Sequence, residues 1–319
     1  MSASLSIVIP TLDHWDYLCD CLASLREQTF RDFEVLVIDD GSQEGIEKRV
    51  SDAYPEVAVH RLPANRGFAV AANAGLRKAK TPRVMLLNND MTLAPTCLEL
   101  LMRSMDETGA DMATPLVVWR DRPDVIYSAG DRQRVGGRPE SIGFRLPVEA
   151  FQFPDMVFGV SAGAAIYSRE IFETVGYLDE RFIAYFEDSD LNFRARLAGF
   201  TPICVQEARA SHVGSGSLGG RDGWRARQCF RNHALLVVKN MPLRLLFLHG
   251  PFILKERIHQ GGRVLSSARS EFGLLRACRT LASAMVETWL LMPYALGQRR
   301  AVRRLRRISV HELRALLTK

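Results

Sequence analysis

Short apolar runs alternate with amphipathic stretches through the first half of the chain. Leu5–Pro10 (LSIVIP) is a compact β-branched run, and Leu18, Leu22 and Leu25 then recur at helical spacing over 15–28. Glu34–Ile38 (EVLVI) follows and ends in Asp39-Asp40-Gly41-Ser42. A helix is expected around 43–53, a third strand at Val57–Arg61, an alanine-rich helix over 67–79 and a fourth strand at Arg83–Leu87 (RVMLL). Apolar runs this short, bounded by polar turns, suit parallel strands covered on both faces. Their alternation with helices predicts a doubly wound, mostly parallel α/β sheet with right-handed crossovers. Ligands of such sheets sit beyond the carboxyl ends of the strands. Three polar clusters fall at those ends: Thr11, Asp39-Asp40 and Asn88-Asn89-Asp90.

The pattern then loosens. Residues 120–155 are rich in Gly, Pro and Arg and read as an irregular excursion. A small-residue segment (GVSAGAAIYS, 159–168), a helix opening near Asp188, the glycine-rich stretch His212–Gly220 and a helix at about 224–239 complete a body of residues 1–240. Beyond it, Leu243–Leu254 is strongly apolar. Residues 299–317 read as one basic helix with Val302, Leu305, Ile308, Leu313, Leu316 and Leu317 near one face.

Composition adds three constraints. Of 319 residues, 47% are apolar and 24% charged, the balance of a folded globular protein. The six cysteines include no C-x-x-C pair, which argues for reduced thiols rather than a disulfide framework or thiolate metal site. The opening MSASLSIVIP lacks a basic leader region, and no run reaches the roughly 20 apolar residues of a membrane span. A cytoplasmic location is expected. The net charge of +6 hides an asymmetry: residues 241–319 hold 15 Lys/Arg against 4 Asp/Glu, and residues 1–240 hold 27 against 32. An acidic body with a basic tail suggests two jobs.

The polar clusters each admit a chemical and a structural account. Asp90 follows a buried strand, where a carboxylate can hold a hard cation such as Mg2+ or Mn2+ that prefers oxygen ligands; alternatively Asn88-Asn89-Asp90 is a turn closing the strand. Asp39-Asp40 offers acceptors to a ribose or base, or caps the next helix. In Tyr185-Phe186-Glu187-Asp188-Ser189-Asp190, three acids in four residues follow an aromatic run, and crowded carboxylates gain proton affinity, as a general base needs. The competing account is that Asp188 or Asp190 caps the following helix. His212 precedes Val213-Gly214-Ser215-Gly216-Ser217, a flexible backbone suited to closing over phosphates, and beside an Asp it is a candidate metal ligand. Asn65-Arg66-Gly67-Phe68-Ala69, with Asn73 and Gly75, sets a tight turn before a small-residue helix whose N-terminus favours a phosphate; plain helix packing explains the same residues.

Taken in order, SIVIPT, LASLREQT, FEVLVIDDGS, NRGFAVAANAG, LLNND, GVSAGA, F-x-A-Y-F-E-D-S-D-L and H-x-G-S-G-S resemble a family 2 glycosyltransferase with a GT-A fold, in the branch of bacterial rhamnosyltransferases and galactofuranosyltransferases. The resemblance covers roughly residues 4–240. It implies a nucleotide-sugar-binding half (1–118) and an acceptor and catalytic half (119–240), followed by a helical, basic tail (241–319). It places Asp90 as the metal-binding last acid of a D-x-D whose first position is Asn88 here, with Asn89 between. Asp39 and Asp40 match the nucleotide-contacting pair, Thr11 with Pro10 the strand-end position near the base, and Asp188 with Glu187 the catalytic base. His212 completes the metal site, and Arg231 is expected to assist the diphosphate.

Implied with these are a divalent cation, a nucleotide-diphosphate sugar donor (deoxythymidine-diphosphate rhamnose or a uridine-diphosphate hexose) and a glycan or lipid-linked acceptor. The basic tail is expected to lie on an anionic membrane, peripheral to the cytoplasmic face of the inner membrane. Packing of its apolar stripe on the core, or on a second subunit in a homodimer, is the competing account. Nucleic acid is not expected, because the arginines lack interleaved aromatics and the body is acidic. A nucleotidyltransferase would carry a glycine- and arginine-rich loop where this chain reads PTLDHWDY, and an inactive binding module would have lost the acids.

Overall fold

The computed structural model describes residues 3–214 and 222–319. The chain opens with β1 (Leu5–Thr11), α1 (Trp15–Arg26), β2 (Phe33–Asp39), α2 (Ile46–Ala53), β3 (Ala58–Arg61), α3 (Phe68–Lys78) and β4 (Arg83–Leu87), close to the boundaries read from the sequence. β5 (Met91–Leu93), α4 (Cys97–Thr108) and β6 (Met112–Trp119) follow. The stretch expected to be irregular contains three short strands, β7 (Ile126–Ser128), β8 (Asp131–Arg134) and β9 (Pro139–Ser141). Next come β10 (Ala164–Ser168), α5 (Arg169–Val175), α6 (Glu187–Leu197), β11 (Pro202–His212) and α7 (Asp222–Asn240). The tail folds into α8 (Leu243–Leu248), α9 (Gly250–Phe272), α10 (Leu274–Leu305), α11 (Val310–Leu316) and β12 (Leu317–Thr318).

Two units emerge. The first comprises residues 3–131, 141–178 and 200–214. Its sheet runs β3-β2-β1-β4-β10-β6-β11-β5, with β7 on β6. Strands β1 to β4 are mutually parallel; β10 is antiparallel to both β4 and β6, and β11 is parallel to β6. Two reversals restore the direction, so the carboxyl ends of β6 and β11 lie at the same edge as those of β1, β2 and β4. Every residue of β1 is buried, as a central strand covered on both faces requires. Its Leu5, Ile7 and Ile9 pack with Leu18, Leu22 and Leu25 of α1 and with Leu98 and Leu101 of α4 in one apolar core.

The second unit comprises residues 132–140, 179–199 and 222–319. Phe182 packs with Leu235, Leu236 and Ala295, and Phe230 with Val264 and Ala284. β12 adds to β8 through Leu317 opposite Gln133. The single basic helix expected over 299–317 is two helices: α10 ends at Leu305, and Ser309 and Glu312 form a reciprocal capping box that starts α11. Val302, Leu313 and Leu317 of its apolar stripe are buried. Leu305, Ile308 and Leu316 of the same stripe are half-buried. Among the described residues, no helix is long and apolar enough to cross a membrane.

Candidate active site

The ligand edge of the first unit is knitted together by the clusters read from the sequence. Thr11, at the end of β1, accepts a 2.8 Å hydrogen bond from the Asn89 amide through its Oγ1, and its carbonyl accepts the Asp40 amide N–H at 2.8 Å. Pro10 lies beside Ile38 in the pairing of β1 with β2. Asp39 is fully buried; its carboxylate accepts the Ser42 N–H at 2.7 Å and the Arg61 guanidinium at 2.7 Å. Asp40 accepts the amides of Arg66 and Gly67, both at 2.8 Å, while burial pushes its carboxyl above the usual range. The amides that Asp40 takes lie just before α3, and Asn65 accepts from Gly67 as well. Gly41 is obligatory here: its φ is +81°, and a Cβ would stand 2.8 Å from the backbone of Ala64 and Asn65.

The register of β11 against β5 sets His212 opposite Met91, next to Asp90. His212 Nε2 lies 3.1 Å from Asp90 Oδ2. Around this pair, three buried polar atoms have no hydrogen-bond partner: Asp90 Oδ1, Asn88 Oδ1 and His212 Nδ1. Buried polar atoms are normally satisfied, so a cluster of orphans of acceptor type fits an absent hard cation or phosphate-bearing ligand. Among the described residues no group of three or more His, Cys, Asp or Glu converges; Asp90 and His212 are a pair, which leaves room for oxygens from a substrate. The Tyr127 ring meets His212 edge-on at 4.2 Å and Trp119 at 5.0 Å. Gly214, at φ +72°, passes against Trp119, whose ring would sit 2.2 Å from any Cβ there. Ser215, Gly216 and Ser217 of the stretch expected to close over phosphates lie outside the described residues.

The acidic cluster belongs to the second unit. Glu187 opens α6 and is buried, with Oε2 unpartnered. Burial, then the neighbouring Asp188 carboxylate, pushes its carboxyl up to about 8. Asp188 Oδ1 accepts from the Ser189 N–H at 2.6 Å and from its hydroxyl at 3.2 Å. Asp190 is structural. Burial alone would raise its carboxyl, but Arg194 at 2.8 Å, Lys239 at 2.9 Å and Asn240 at 2.8 Å outweigh it and hold it below the usual range. None of the three acids caps α6; the N-cap position is Phe186, at φ 73°.

Ile183, Tyr185 and Phe186 all have positive φ, three strained residues immediately before Glu187 and Asp188. One side chain holds that turn. The Asn232 carboxamide donates to the carbonyls of Phe182 at 2.9 Å, Ala184 at 2.8 Å and Tyr185 at 2.7 Å. Asn232 lies in the same R-N-H as Arg231 but is not singled out by the sequence; the available signal is a run of three polar residues set between Phe230 and the apolar Ala234–Val238 of α7. Asn232→Ala is expected to destabilise the protein by about 2–3 kcal/mol, since it removes the donor shared by the Ala184 and Tyr185 carbonyls, while Phe182 keeps the Ala184 N–H. A thermal melt would check this, and an unchanged midpoint would show that the turn holds itself.

Two expected ligand contacts are redirected. The Asn73 carboxamide is buried and pairs both ways with the backbone of Leu178, at 2.9 and 3.0 Å, so it fixes a loop rather than facing the strand ends. Arg231 is buried too, and donates to the carbonyls of Arg181 at 2.7 Å and Phe182 at 3.5 Å. Both are polar groups whose cost of burial is met by backbone distant in sequence.

Comparison with known proteins sharpens the picture. The model of glycosyl transferase family 2 matches residues 6–176, more than half of the chain. The chain is 27% identical over 246 residues to an N-acetylglucosaminyl-diphospho-decaprenol L-rhamnosyltransferase of Mycobacterium tuberculosis, covering 69% of this chain and 79% of that one. It is 27% identical over 239 residues to an uncharacterized protein, y4gI, of Sinorhizobium fredii, covering 71% of this chain but only 26% of that longer protein. Among solved structures, residues 1–349 of S. aureus TarS superpose with a TM-score of 0.58 at 16% identity, covering 98% of this chain and 91% of that fragment. The mannosyltransferase PcManGT from Pyrobaculum calidifontis, solved with GDP-Man and Mn2+, gives 0.56 at 17%, covering 94% and 87%. At such identities the likeness is one of fold, and it is the GT-A-like α/β fold expected from the sequence.

Proposed function

The chain belongs to glycosyl transferase family 2, and from that premise we propose that it moves a sugar from a nucleotide-diphosphate donor to a glycan or lipid-linked acceptor, inverting the anomeric carbon. The observation that carries this reading is the Asp90–His212 pair with its orphaned polar atoms at the ligand edge of the sheet. Asp39, Asp40, Thr11, Asn88 and Asn89 form the donor side. The donor is deoxythymidine-diphosphate rhamnose or a uridine-diphosphate hexose, the former supported by the rhamnosyltransferase relative. The product belongs to a bacterial surface polysaccharide, assembled on the cytoplasmic side of the inner membrane.

Asp188 is assigned as the base. It takes the proton of the acceptor hydroxyl, the oxygen bonds to the anomeric carbon, and the bond from that carbon to the diphosphate breaks. Glu187, protonated at neutral pH, keeps a second negative charge away from it. Asp90 and His212, with Asn88, would hold a divalent cation, Mg2+ or Mn2+. Such an ion, when bound, offsets the charge of the departing nucleoside diphosphate.

The test is donor turnover by the purified chain. Release of nucleoside diphosphate is expected with Mn2+ and is expected to vanish on chelation, and Asp90→Ala should lose the metal stimulation. Turnover unaffected by chelation would remove the cation from the reading, and no turnover of any nucleotide sugar would leave an inactive binding module.

A further inference from the structure

Helix α10 is amphipathic in an inverted sense. Its buried positions are Ala277, Ala284, Thr288, Ala295 and Val302, mostly small; Leu281, Leu291 and Met292 are half-buried against the unit's core, and most of the remaining large apolar side chains face solvent. Leu275, Met285, Val286, Trp289, Leu290 and Leu296 are all at least half exposed, Trp289 and Leu290 each 74%. At about 100° per residue these positions fall within an arc of roughly 140° and so share one face of the helix. At 1.5 Å per residue, 275 to 296 spans about 30 Å. An apolar surface of that extent on a chain in water marks a contact.

Charge identifies the occupant. The stripe runs on into Arg300, Arg303 and Arg304, and Arg276 and Arg279 flank its other end; all five are exposed. The one acid of α10, Glu287, is paired with Arg227. With both ends basic, a second copy docked on this face in either sense would set arginine against arginine. Anionic headgroups complement both ends, and the apolar middle suits the boundary between headgroups and acyl chains. A tryptophan at the centre of such a stripe belongs at that boundary.

We propose that the outward face of α10, centred on Trp289 and Leu290 and tipped with arginines, lies in the surface of an anionic bilayer. The membrane contact thus falls upstream of the apolar stripe of 302–317, of which Val302, Leu313 and Leu317 are buried. This deepens the lipid-linked acceptor reading above and rests on it only for its purpose; vesicle binding is measured without donor, so its failure is distinct from failure of turnover.

The full chain is sedimented with vesicles of phosphatidylcholine alone and of phosphatidylcholine mixed with phosphatidylglycerol. Binding is expected to the mixed vesicles and to weaken with salt. Trp289→Ser combined with Leu290→Ser should lower it at least about tenfold, and Arg300→Glu with Arg303→Glu and Arg304→Glu should erase the preference for anionic lipid. All five positions are exposed, so circular dichroism is expected to be unchanged. Two outcomes would overturn the proposal: a folded chain that binds neither vesicle, or a dimer in sedimentation equilibrium that the Trp289–Leu290 variant disperses.

Discussion

Asp188→Asn is expected to lower transfer by roughly two to four orders of magnitude, the usual worth of a positioned general base, while leaving donor binding intact. Asparagine keeps the shape and the acceptor oxygen that meets Ser189, so the start of α6 should hold. What it removes is the capacity to take a proton. The informative companion is Glu187→Gln. Because burial and Asp188 push the Glu187 carboxyl up to about 8, it is already neutral at pH 7, and glutamine imitates that state. Activity near the parent level is expected for it.

The same residue imposes a pH dependence on stability. The folded protein retains a proton on Glu187 that the unfolded chain sheds, so stability is highest below about pH 4.5 for this group and declines as pH rises from there to 8. Glu187→Gln should flatten that decline in thermal melts taken across the window. If the glutamine variant loses as much turnover as the asparagine variant, the base assignment moves to Glu187. If Asp188→Asn turns over like the parent, neither the assignment nor its geometry survives.

Asp190→Ala is expected to cost about 3–5 kcal/mol of stability, with no specific effect on the chemistry beyond it. Asp190 and Asp179 face Lys239 and Arg194 in a neutral box from which water is largely excluded; Lys239 stands 2.5 Å from Asp179 and 2.9 Å from Asp190, and the Tyr294 hydroxyl donates to Asp179 at 3.0 Å. Deleting one carboxylate leaves an excess buried cation, which is far costlier than never having had the pair. Chemical denaturation of the variant would read this directly. An unaltered midpoint would mean that water reaches the box and screens it.

Three acids in four residues therefore stand in three different surroundings, and the sequence does not separate them. What distinguishes them lies about fifty positions away: Lys239 and Asn240 hold Asp190, and Asn232 clamps the turn before Glu187. Local pattern was sufficient for the first sheet strands because alternating apolar runs and polar strand ends are short-range signals, and Thr11, Asp39, Asn88 and Asp90 emerge where that pattern places them. It does not reveal the backbone partners of Asn73 and Arg231, carbonyls and amides invisible to a side-chain pattern. It also failed for the tail. The spacing of Val302, Leu313 and Leu317 correctly marks an apolar face, but periodicity does not say whether that face meets lipid or the chain's own core. Only the fold shows that the alanines of α10 turn inward and its tryptophan outward.

The strand order has a cost during synthesis. β11 fills the place between β6 and β5, setting Pro202 beside Met112 and Ser211 beside Thr92. Both earlier strands leave the ribosome with a bare edge and must wait for a partner encoded some hundred codons downstream. At about 5–20 residues per second that wait is on the order of 5–20 s, long enough for unpaired backbone to find a neighbouring nascent chain. A protein with this topology depends on something to shield those edges until its last sheet strand arrives.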